Sequence, residues 1–161
     1  MAIGSFRSLL RQVLHLQESP ERTALAFAIG VAIAFCPFYG FHMALVGLST
    51  WALRLNLIAL LAGAFVNNPW TVVPILGATY WTGALILGRN DSPSFNWDDL
   101  SFQAIYQQVM PYAVPFILGG IILSVVTAVL AYPVTLYLVN KHRQHKAAHH
   151  PEPLPPVDPL R

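Results

Sequence analysis

The chain has 161 residues, of which 55% are hydrophobic and 10% charged, with a formal net charge of +2. Soluble domains carry roughly 25% charged residues, so the composition speaks against an ordinary soluble globule, and the small net charge gives no electrostatic case for a nucleic-acid partner. A single cysteine excludes an internal disulfide and any multi-cysteine metal centre.

Residues 3–17 predict an amphipathic helix. Ile3, Phe6, Leu9, Leu10, Val13, Leu14 and Leu16 recur at three- and four-residue spacing, and Arg7, Ser8, Arg11, Gln12 and His15 fill the other face. An arginine-bearing polar face suits a membrane surface, and packing on the rest of the protein would satisfy the same pattern. Ser19-Pro20-Glu21 then reads as a helix start, with a serine cap, proline at the first helical position and an acid where the dipole favours it.

Residues 23–88 are apolar, with Arg54 the one charged side chain between Arg22 and Arg89. A tract this long predicts membrane insertion. Phe35 and Pro37 flank Cys36, which rules against a lipoprotein acceptor site at that cysteine. Two polar, proline-bearing breaks divide the tract: Cys36-Pro37-Phe38-Tyr39-Gly40-Phe41-His42 and Asn67-Asn68-Pro69-Trp70-Thr71. Before the first break, small residues recur every fourth position, as Ala24, Ala28, Ala32 and as Ala26, Gly30, Ala34. Such faces let backbones approach closely on two sides. Residues 23–35 would make about 20 Å of helix against a hydrocarbon core of about 30 Å, too short to cross alone. They pair with residues 43–53, ending at Arg54, as a hairpin that enters and leaves on one side.

The next unit follows the same plan. Residues 57–66 predict a short helix, Asn67-Asn68-Pro69 the break, and residues 70–88 a longer helix carrying Pro74. Sliding residues 23–56 onto 53–86 gives seven identities in 34 positions, little above chance for so Ala- and Leu-rich a chain. The shared order of short helix, polar break and helix is the better sign of a repeat, and paired discontinuous helices of this kind hold substrates in many transporters.

The order Ser19-Pro20-Glu21-Arg22, Pro37-Phe38-Tyr39-Gly40-Phe41-His42, Arg54-Leu55-Asn56 and Asn67-Asn68-Pro69-Trp70-Thr71 with Pro74 resembles the bacterial membrane family catalogued as domain of unknown function 2062. The likeness covers roughly residues 18–90, with the Asn-Asn-Pro element its most specific part, and no motif extends it into residues 91–161. It implies a protein of the bacterial inner membrane and a domain found alone or joined to a glycosyltransferase. It brings no activity with it.

Residues 91–110 read as a polar loop with Asp91, Asp98 and Asp99 and the rim aromatics Phe95 and Trp97. Residues 111–140 read as a transmembrane helix with Pro115 in its first turn and Pro133 placed to kink its far end. Lys141, His142, Arg143, His145 and Lys146 form a basic flank, and the proline-rich tail to residue 161 reads as disordered. The fold expected is an all-α membrane protein with broken or re-entrant helices, an amphipathic helix at 1–17, a broken-helix domain at 18–90 and a C-terminal transmembrane helix. Basic residues near both chain ends place both termini in the cytoplasm. An even number of crossings follows: a re-entrant hairpin over residues 23–53, one broken crossing over 57–88 and a return over 112–139. The repeat suggests a competing form in which both units are hairpins.

No carboxylate lies inside the tract and no nucleophile stands at motif spacing from a base, so an enzyme is not expected and no cofactor is implied. The candidate ligand-binding residues are the polar groups of the breaks and the hairpin end: Arg54, Asn67, Asn68, His42, Thr71 and Tyr39, with Pro37, Gly40, Pro69 and Pro74 shaping the turns. Asparagine caps for freed backbone groups are the stronger reading of Asn67 and Asn68, and a helix start at Pro69 would also present a positive dipole end to an anion. His42 is a hydrogen-bonded break residue before it is a proton carrier. Histidines 142, 145, 149 and 150 lie in a solvated run, so no metal site is expected. Two functions remain in view. One is transport or handling of an anionic lipid, such as a polyprenyl phosphate, or of a small solute in envelope biogenesis. The other is a scaffold that anchors a partner such as a glycosyltransferase, or a second copy of the chain, in the bilayer.

Overall fold

The computed structural model describes residues 18–38, 40–89 and 101–149, and all regular structure among them is helical. The amphipathic helix expected at 1–17, Tyr39, most of the acidic loop and the proline-rich tail lie outside the described residues. Five helices follow one another: α1 (Pro20–Phe35), α2 (His42–Leu53), α3 (Leu57–Ala64), α4 (Val72–Ile86) and α5 (Phe102–His149).

The start of α1 is the one its sequence announces. Ser19 Oγ accepts from Arg22 N at 3.3 Å, Pro20 needs no partner for a missing N–H, and Glu21 lies in the first turn. At the other end α2 folds back along α1. The His42 ring bonds to the backbone of Ile33 near the end of α1, and Arg22 near its start donates to the carbonyl of Arg54, just past α2, at 2.6 Å. Helix α3 then runs alongside α1 in the same direction: Gly63 crosses Gly30, and Asn67 past its end reaches the carbonyl of Ala34.

The crossing of α1 and α3 depends on absent side chains. A Cβ on Gly30 would overlap the Leu60 carbonyl oxygen, and one on Gly63 would overlap that of Phe27. The two small-residue faces read from the sequence are both used, because Gly30 lies on α3 while the carbonyl of Ala32 takes a hydrogen bond from Ser124 of α5 at 2.8 Å. Around this crossing Ala26, Val46, Leu55, Ala59, Leu60 and Ala62 form the core.

Helix α4 does not return along α3. It continues past the second break and lies on α5, antiparallel, through a second glycine crossing: a Cβ on Gly83 would overlap the Pro115 carbonyl, and one on Gly119 that of Thr79. The form with two hairpins is therefore not the one adopted. α5 is the long spine. Its C-terminal half lies against α1, its N-terminal half against α4, and the ring of Pro37 sits 3.0 Å from where a Cβ on Gly120 would stand, at the level where the two partners meet.

The bounds of α5 correct the reading of the second half of the chain. The helix begins at Phe102 inside the expected 91–110 loop, where Ser101 Oγ accepts from Ala104 N at 3.3 Å, and it passes residue 140 to His149. Its 48 residues make about 72 Å. Pro111 and Pro115 thus lie inside the helix, and Pro115 is not in a first turn. A proline leaves the carbonyl four residues earlier without its helical donor; here that carbonyl belongs to Pro111, and Arg89 Nη1 donates to it at 2.7 Å. The polar content of 101–108 suggested a loop because the glutamines belong to a helix face that is largely exposed. Among the described residues, α5 is the one helix long and apolar enough to cross a membrane, and only 17% of its apolar window is buried.

Candidate functional site

The last four carbonyls of any α-helix lack intrahelical donors. In α1 three of them are met by side chains or backbone from elsewhere: Ala32 by Ser124 at 2.8 Å, Ile33 by the backbone of Cys36 at 3.1 Å and by the His42 ring, and Ala34 by Asn67 Nδ2 at 3.2 Å. Each carbonyl left bare in an apolar setting would cost about 1–3 kcal/mol. The two polar breaks therefore meet, as the cost of unpartnered polar groups in apolar surroundings favours, but they meet on backbone of α1.

Each break also has its own turn. In the first, Phe41 N donates to the Phe38 carbonyl at 3.2 Å across Gly40, whose φ of +95° is one that a side-chain-bearing residue would resist. In the second, Asn68 Oδ1 accepts from Trp70 N at 2.9 Å and Thr71 N at 3.2 Å, which is a cap with Pro69 at the first position of the turn. Thr71 closes it, accepting from Asn68 N at 3.0 Å and donating to the Val66 carbonyl. Regular helix starts only at Val72, and Pro74 falls in its first turn. His42 and Asn67 are brought together on adjacent carbonyls, Asn68 and Thr71 serve their own turn, and Tyr39 lies outside the described residues.

Arg54 is elsewhere. It sits at the opposite end of α1, about 24 Å of helix from the breaks, with its backbone in the left-handed region at φ 51°. Arg143 donates to the Glu18 carbonyl at the same end. Arg89 marks the other end of the molecule. Among the described residues no group of three or more metal-ligating side chains comes together.

One cavity was not legible in the sequence. Over the half of α5 that α1, α2 and α3 leave uncovered, α4 and α5 form an open cleft of about 620 Å³, walled by Leu76, Tyr80, Trp81, Tyr112 and Phe116, with Pro37 at its inner end. Tyr80 holds the walls together: its ring is 5.6 Å from that of Tyr112 and 5.8 Å from that of Trp81, both edge to face. Gly77 lines the cleft, and a Cβ there would meet nothing within 4 Å. The volume is that of a small-molecule site, the walls are almost wholly apolar, and Arg89 stands near the outer end through its bond to Pro111. Aromatic residues at 80, 81, 112 and 116 were visible in the sequence, but only the pairing of α4 with α5 turns them into walls.

Residues 4–148 match the sequence profile of a family described as an uncharacterized protein conserved in bacteria, DUF2062. The match takes in α5 as well as the broken-helix region, well beyond the stretch whose motifs suggested the likeness. No curated protein and no solved structure matches the chain.

Proposed function

The chain belongs to the bacterial family DUF2062, and from that premise we propose that it is an inner-membrane protein that holds a lipid with a long apolar chain and an anionic head, of the polyprenyl-phosphate kind, in the cleft between α4 and α5. In this reading α1 and α2 form a re-entrant hairpin, α3 and α4 make one broken crossing, and α5 returns. The exposed apolar surface supports it: Trp51, Val73, Leu85 and Val129 are 80%, 71%, 81% and 65% exposed, a display that water would penalise and lipid would not. Arg22, Arg54, Lys141 and Arg143 gather at one end against Arg89 at the other, which makes the first end cytoplasmic by the positive-inside rule.

The observation that carries the lipid reading is the cleft. An apolar, aromatic-walled slot with Arg89 near its outer end suits a hydrocarbon chain with a charged head and suits a polar solute badly. The breaks are not used as the ligand site in this reading, since Asn67 and Asn68 are engaged by backbone. Gly77→Leu tests the reading, because the new side chain enters the cleft without touching other atoms at its Cβ. Mass spectrometry of lipid co-purified with the full chain should show at least a tenfold loss of the retained chain-bearing anion in that variant, with melting temperature unchanged. Equal retention by both proteins would count against the cleft.

The scaffold reading has one observation in its favour. Helix α2 buries only Val46 and turns Met43, Leu48 and Trp51 outward, a face that a membrane partner such as a glycosyltransferase would cover as well as lipid does.

A further inference from the structure

We propose that the turn between α2 and α3 is a second anion site, in which Arg54 and Arg22 bind the phosphate of an anionic bilayer lipid on the side of the membrane where α1 begins. The inference rests on the membrane reading above but not on the cleft. Arg54 is the one non-glycine residue with positive φ among the described residues, at φ 51° and ψ 41°, closing α2. Helices that end in this conformation end mostly on glycine, and the chain itself places Gly88, at φ 64°, just past α4. An arginine in a conformation that favours glycine points to a role for its side chain.

The surroundings fix the backbone from which that side chain leaves. Arg22 Nη2 fixes the Arg54 carbonyl at 2.6 Å, Leu55 is 5% exposed, and Asn56 Oδ1 is locked by Ile58 N at 2.9 Å and Ala59 N at 3.3 Å. Arg54 itself is exposed, and its guanidinium makes no hydrogen bond or ion pair among the described residues. Among the described residues its five N–H donors meet no acceptor, Arg22 has committed one nitrogen, and the first turn of α3 adds the positive end of a helix. Two guanidiniums at such a point are suited to the forked oxygens of a phosphate. The source is lipid because Arg54, Arg22 and the basic end of α5 lie together at one end of the bundle, the height at which headgroups lie in the proposed topology.

The test uses Arg54→Gly, which the backbone favours and which therefore folds. Without added lipid the variant should melt in detergent at the wild-type temperature or above it. Phosphatidylglycerol should raise the wild-type melting temperature well beyond the effect of phosphatidylcholine; this gap should vanish in Arg54→Gly and survive largely in Arg54→Lys. A gap that persists in Arg54→Gly, or is absent from the wild type, overturns the site, and an equal rise with inorganic phosphate overturns the lipid source. Gly77→Leu should keep the gap, so the cleft and this site fail separately.

Discussion

His42 and Asn67 each hold a carbonyl at the end of α1, and that sets what their loss should do. Asn67→Ala should cost about 1–3 kcal/mol, the range for baring a buried acceptor, read as a lower melting temperature in detergent. Lipid retained by the folded fraction should not change, since the cleft does not include Asn67. A variant of normal stability that loses its lipid would return Asn67 to the role of ligand. The residue types already said that an asparagine pair and a histidine in an apolar tract need partners. Which partners they take depends on where α1 ends relative to the second break, a tertiary fact no local pattern carries.

Two kinds of glycine appear among the helices. Gly30, Gly63, Gly83 and Gly119 stand where a Cβ would strike backbone of the neighbouring helix, whereas one on Gly47 would meet nothing within 4 Å. Because backbone cannot step aside, Gly30→Ala and Gly83→Ala should each destabilise by at least the roughly 1–3 kcal/mol of an overpacked core. Gly47→Ala should stabilise α2 by about 0.5–1 kcal/mol. Thermal melting of the three variants checks the difference in sign. The α1 crossing was legible because Ala24, Ala28 and Ala32 and Ala26, Gly30 and Ala34 fall at helical spacing on one segment. The α4 and α5 crossing was not, since Gly83 and Gly119 are far apart in sequence and neither lies in a ladder. The reach of α5 back to Phe102 was hidden by Pro111 and Pro115, which read as a beginning although a helix can absorb them when an outside donor such as Arg89 takes the freed carbonyl.

At the scale of the molecule, the two repeat-like units differ in what their breaks do to chain direction. The first closes across Gly40 at φ +95° and reverses the chain. The second keeps helical bonding, with Val72 N to the Asn68 carbonyl at 2.8 Å and Ile75 N to that of Thr71 at 2.9 Å, so α4 runs on. The sequence showed two breaks of similar length; the difference lies in one glycine dihedral against one asparagine cap. From it comes the proposed arrangement of hairpin, broken crossing and return, with Arg54 back on the side where α1 begins. Labelling of single cysteines in intact cells, in a Cys36→Ser background, tests that arrangement most directly. Ala52→Cys and Ala147→Cys should react only with reagent that has entered the cytoplasm, and Ser92→Cys with impermeant reagent from outside. Labelling of Ala52→Cys from the same side as Ser92→Cys would make the α1–α2 unit a full crossing and contradict the account.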